Sequence, residues 1–245
     1  MENDNIHSKI NELLGQSPDK FAIIEEQIPI EIQMEYFEFL KRKNKVNDIK
    51  DVLLSKELLF IAETPLITKK EILSNLALID KPEAFRAIEK YSQNPDKELN
   101  NWAKLALFES RMLLESSLLE QNRILISSAL GGKNNKLRYF IVVFLNEGFT
   151  FDDTNKKVIF NEFDTVLKKN NCQPEQFLFY SKFFTLLVLV PLDASLKEAF
   201  SNAIDECNQY GQFLMNNFIV TNVKKLSEAE INELIQYPSK KNKNE

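Results

Sequence analysis

The sequence has 245 residues, of which 44% are hydrophobic and 27% charged, with a formal net charge of -5. This is ordinary globular composition, long enough to bury one or two cores. One histidine, two cysteines and five glycines leave no material for His-dependent triads, multi-His or four-Cys metal sites, or an array of glycine-rich phosphate loops.

The segment Met1 to Leu14 contains Glu2, Asp4 and Glu12 and no apolar run, so no signal peptide is expected there. Ser17-Pro18-Asp19 predicts a helix start, proline being favoured at the first helical position, with the helix running to about Gln27. Pro29 opens a second helix carrying Ile32, Tyr36, Phe37, Phe39 and Leu40. A third carries Val46, Ile49, Val52 and Leu53. Thr68-Lys69-Lys70-Glu71 fits a capping box before Ile72, Leu73, Leu76 and Ile79.

Asp80-Lys81-Pro82-Glu83 starts the next helix, with Phe85, Ile88 and Tyr91 on one side. Asn94-Pro95-Asp96 breaks it, and a further helix follows with Leu99, Trp102, Leu105, Ala106 and Leu107. Helix, Asn-Pro-Asp turn, helix with alanines among leucines resembles a HEAT repeat, over about residues 66–110. The family usually places a basic residue soon after the turn, where Leu99-Asn100-Asn101 stand here. The resemblance implies stacked helical hairpins that bind other proteins. It also implies that Trp102 packs between the two helices of the unit.

The pattern changes after Glu120. Arg123–Ala129 and Lys136–Leu145 are rich in β-branched and aromatic residues and flank Gly131-Gly132-Lys133-Asn134-Asn135, which predicts a β-hairpin over 123–145. A helix with Ile159, Phe163, Val166 and Leu167 follows. An apolar strand, Phe183–Val190, comes next, then a helix opened by Ser195-Leu196-Lys197-Glu198. A strand over Phe213–Val223 and a helix capped by Ser227-Glu228-Ala229-Glu230 complete the pattern. The expected fold is α+β and predominantly helical. HEAT-like hairpins over 1–120 precede a small ββαβαβα region over 121–237, and the lysine-rich stretch 238–245 reads as a disordered tail.

Charge is uneven: residues 1–120 carry 22 acidic and 16 basic side chains, and residues 121–245 carry 14 and 15. Any anion site belongs to the second half. Arg123, Lys133, Lys136 and Arg138 are the candidate, since no acidic residue lies between Glu120 and Glu147 and Tyr139 and Phe140 are nearby. Gly131-Gly132-Lys133 lacks the Ser or Thr and the following helix of a Walker loop. The carboxylate pairs Glu25-Glu26, Asp152-Asp153 and Asp205-Glu206 diverge by about 100° on a helix and cannot converge on one substrate. Cys172 reads as a loop residue and Cys207 as part of an apolar stripe.

No catalytic, cofactor-binding or metal-ligating residues are assigned, and no cofactor is expected. These features fit a cytoplasmic, non-catalytic protein–protein interaction or scaffold module, with another protein as partner, nucleic acid disfavoured and no membrane contact. The alternatives are a nucleic-acid-associated protein using the 123–138 hairpin, or an enzyme with a carboxylate and lysine site assembled only by folding.

Overall fold

The structure is a computed structural model and describes residues 21–42, 48–120 and 123–236. It is mixed α+β, and the chain divides into two compact units, Met1–Asn135 and Lys136–Glu245.

The first unit begins with strand β1 (Phe21–Ile23) and continues through helices α1 (Ile30–Arg42), α2 (Ile49–Ser55), α3 (Leu66–Ala77), α4 (Pro82–Gln93) and α5 (Asn100–Leu119). A short 3₁₀ turn, Lys56–Phe60, extends α2. Strand β2 (Ile124–Ile126) pairs in parallel with β1, setting Phe21 beside Ile124 and Ile23 beside Ile126. This corrects the expected helix to Gln27: its described part is a strand over Phe21–Ile23 and irregular chain from there to Gln27, because Phe21, Ile23 and Ile24 are buried and the strand pairs with a partner a hundred residues away. Residues 17–20 lie outside the described residues. The core of this unit gathers Tyr36, Leu73, Leu76, Ile88, Leu99 and Trp102 from four helices and the approach to α5.

The helix starts also differ from expectation. Pro65, which has no side-chain cap, stands before α3, and Thr68 lies inside the helix, so the Thr68–Glu71 capping box is not formed. Proline needs no amide partner and its fixed φ suits a helix entry.

Most consequential is the expected hairpin over 123–145, which does not exist. β2 joins β1, and β4 (Lys136–Leu145) pairs with later strands. What remains is a tight turn at Asn134 and Asn135, both at positive φ, joining the two-residue strand β3 (Gly132–Lys133) to β4. The expected boundary at 120 accordingly lies fifteen residues before the observed change of unit.

The second unit continues through α6 (Asp153–Lys169), β5 (Gln173–Phe179), β6 (Phe183–Pro191), α7 (Leu196–Asn208), β7 (Leu214–Thr221) and α8 (Glu228–Gln236). Its strands run antiparallel in the order β5–β6–β4–β7. Two helical crossovers each skip one strand, which is the connectivity of the ferredoxin-like split βαβ arrangement. Alternation along β4 and β6 sends Ile141, Val143, Phe184, Leu186 and Val188 toward a core shared with Phe163 of α6 and Phe200 of α7. Asp152 caps α6 through a capping box with Asn155, and Ser195 accepts from the Glu198 amide at the start of α7. The tail 238–245 lies outside the described residues.

Candidate functional site

The four basic residues singled out by the sequence are placed in two different units. Arg123, in the first, donates from Nη1 to Glu115 Oε2 at 2.5 Å, and its Nε is buried without a hydrogen-bond partner. Lys133 is exposed at the end of the same unit. In the second unit, Lys136 Nζ donates to Asn171 Oδ1 at 3.1 Å. Arg138 makes a two-pronged pair with Glu175, at 2.5 Å from Nε and 2.9 Å from Nη2. Two of the four charges are therefore neutralised by carboxylates within their own unit.

The two glycines beside Lys133 have a structural task. Gly131 has φ +67°, and a Cβ there would stand 2.3 Å from the Glu25 carbonyl oxygen and 2.6 Å from that of Glu26. The Gly132 amide donates to Glu25 O at 3.2 Å, and the Asn134 amide donates to Glu25 Oε1 at 3.0 Å. The space a phosphate would need is filled by the Glu25–Glu26 backbone, and only glycine allows that approach.

Beside this contact lies a groove of about 240 Å³. One wall is the three consecutive residues of β1. The other is one stripe of α5: Lys104, Leu107, Phe108, Arg111, Met112 and Glu115, spaced at i, i+3, i+4, i+7, i+8 and i+11. Leu107, Phe108 and Met112 are its apolar lining from α5, and Lys104, Arg111, Arg123 and Glu115 its charged lining, Arg123 being paired with Glu115. The sequence reading missed these α5 residues. Their signal, basic and aromatic side chains at helical spacing, was available, but nothing in the sequence sets β1 alongside them.

Elsewhere the displaced ionisable groups serve packing. Tyr36 Oη donates to Glu109 Oε2 at 2.5 Å, and burial raises the pKa of both groups. At the Asn94-Pro95-Asp96 turn, Asp96 Oδ2 accepts from Lys69 Nζ at 2.7 Å and from Tyr91 Oη at 2.6 Å. The Lys69 hydrogen bond, followed by that of Tyr91, holds the Asp96 carboxyl below the ordinary range. Lys69, from α3, thus supplies the cation absent from Leu99-Asn100-Asn101. Trp102 is buried as expected, but its ring contacts are Tyr36 and Phe39 of α1, at 5.1 and 5.5 Å. Its indole N–H donates to Ser74 of α3 at 3.2 Å.

Burial pushes the Cys172 thiol up to about 11 and that of Cys207 up to about 12, so neither is a thiolate near neutrality. Among the described residues no three His, Cys, Asp or Glu side chains are grouped to hold a metal ion, and no helix is long and apolar enough to cross a membrane.

No protein-family model and no curated protein matches the chain. Among solved structures, the chain is similar to a REP-associated tyrosine transposase bound to a REP hairpin, with a TM-score of 0.33 and 8% identity, over 42% of this chain and 69% of that one. The expectation that nucleic acid is disfavoured as a partner is corrected by this finding, since the neighbour was solved on a REP hairpin. At this TM-score and identity no activity or ligand is transferred from it.

Proposed function

We propose that the chain is a non-catalytic interaction or scaffold module, working in the cytoplasm, that engages a partner through the groove between β1 and α5. The observation that carries this reading is the groove itself: apolar and charged side chains line it together, and one of them, Arg123, has a buried Nε that lacks an acceptor. A buried unpaired donor costs about 1–3 kcal/mol, which a ligand carbonyl or carboxylate would recover once the Arg123 side chain turned toward the groove. The α4–turn–α5 pair acts in this reading as a HEAT-like hairpin, with Lys69 and Asp96 fixing the turn and α5 presenting its outer stripe.

The test is affinity capture from native extract with the full chain, the Arg111→Glu variant and the Phe108→Asp variant, each with and without nuclease. A bound macromolecule lost with both variants supports the groove, and the nuclease arms decide whether it is protein or nucleic acid. Capture that is unchanged by both substitutions overturns the groove as the site. Turnover of a substrate by the purified chain overturns the non-catalytic reading.

A further inference from the structure

We infer that the outer edge of β5 and the adjoining face of α6 form a homodimer interface, in which two copies pair β5 against β5 about a two-fold axis through Phe177. This goes beyond the proposed function and does not depend on it.

β5 is an edge strand, bonded only to β6 among the described residues. The Tyr180 amide donates to Phe183 O at 2.9 Å, which fixes the phase of the β5–β6 ladder. By alternation Leu178 also bonds to β6, whereas Phe177 and Phe179 turn their N–H and C=O groups to the open edge. Two-fold antiparallel pairing centred on Phe177 uses those groups: Phe177 meets its own copy and Glu175 meets the copy's Phe179. Pro174, which has no amide to give, falls outside the paired run, and the register irregularity between Pro174 and Gln176 places Glu175 at its end, so the regular part of the run is Gln176–Leu178 about Phe177. The edge is flanked by apolar surface, Phe160 being 51% exposed and Leu178 42%. Phe160 stands beside Phe177, with ring centroids 5.3 Å apart.

Charge identifies the occupant as a second copy. Asp153, Lys156, Phe160, Asp164 and Lys168 share one face of α6. A two-fold axis at Phe177, and hence beside Phe160, sets two α6 helices antiparallel. Lys156 and Asp164 each lie four residues from Phe160, about 6 Å along the helix axis in opposite directions. Each Lys156 therefore faces the other copy's Asp164. Asp153 and Lys168, seven and eight residues from the centre, face one another likewise. Asp164 already pairs with Lys168 at 2.7 Å within its own helix, so the interface assembles a network of alternating charge. Such self-complementarity is what a closed two-fold interface requires.

The test is the oligomeric state of the full chain by sedimentation equilibrium from about 1 to 100 µM, the range where a small, partly polar interface of micromolar affinity populates both species. We expect a dimer. Lys156→Glu should weaken it by about tenfold, because it sets like charges together twice, and Lys156→Glu with Asp164→Lys should restore it. Phe160→Ser should also weaken it while leaving the far-ultraviolet spectrum unchanged, which separates lost pairing from lost folding. A chain that stays monomeric throughout overturns the inference. So does a dimer indifferent to Lys156→Glu and Phe160→Ser, or one the double substitution fails to restore.

Discussion

The two units stabilise their interiors by different chemistry. Among the described residues, the buried polar or charged ones are Gln33, Lys69, Ser74, Ser110, Ser128 and Thr185, and all but Thr185 belong to the first unit. There, contacts between helices and turns are fixed by specific hydrogen bonds: Trp102 to Ser74, Lys69 to Asp96, Tyr36 to Glu109. The second unit uses ring against ring. Phe184 lies within contact of Phe151, Phe163, Phe177 and Phe179. A sheet with helices on it offers regular ladders that satisfy the backbone, so its core can be almost purely apolar. Short helices with many ends have no such ladder and recruit side chains instead.

That contrast is open to test by substitution. Trp102→Ala should cost the most, about 4–5 kcal/mol, at the upper end for a large aromatic because the Ser74 bond goes with it. Urea denaturation followed by circular dichroism measures this, and a loss under 1 kcal/mol would remove the residue from the core. Phe163→Ala, which takes only packing from the second unit, should cost about 3–4 kcal/mol. Gly131→Ala should cost about 2–3 kcal/mol, since it combines a positive φ with displacement of the Glu25–Glu26 backbone. In the same denaturation assay, a neutral result would show that the 128–132 loop can move away.

Asp96→Asn should cost about 2 kcal/mol, less than the 3–5 expected for a fully buried pair, because the aspartate side chain is one third exposed while Lys69 is almost wholly buried. The pH profile refines this. The Asp96 carboxyl is lowered in the folded chain, so its contribution is present above the ordinary aspartate pKa, about 3.9, and is lost as pH falls through the folded value. Glu109 is raised by burial and works in the opposite sense: its ionisation opposes folding, and stability recovers as pH falls through its folded value. Glu109→Gln should therefore change stability at neutral pH by less than about 1 kcal/mol while removing that recovery on the acid side. Thermal melts across pH 3–7 check both slopes. A wild-type profile untouched by either substitution would mean that the polar contacts of the first unit do not set its acid stability.

Local signals carried much of the secondary structure. Periodicity gave α1, α4 and α5, the Asn94-Pro95-Asp96 break, and the helices capped by Asp152, Ser195 and Ser227, because helix spacing and capping involve residues within four positions of each other. β6 and β7 were legible as apolar or β-branched runs. β5 was not: Gln173-Pro174-Glu175-Gln176 reads as loop, and the strand exists because β6 presents an unpaired edge to it. The three residues of β1 were read as helix for the same reason, since their partner is Ile124–Ile126.

Residues near one another in sequence thus determined the helices, their caps and the mixed α+β class, through interactions that close within a turn or two. Tertiary structure alone decided which strands pair, that Arg123 and Arg138 are each taken by a carboxylate, that Gly131 serves the Glu25–Glu26 backbone, and that β1 and α5 enclose a groove. Strand pairing and surface recesses join segments tens of residues apart, and a linear pattern carries no term for which distant edge will be free when a strand needs one.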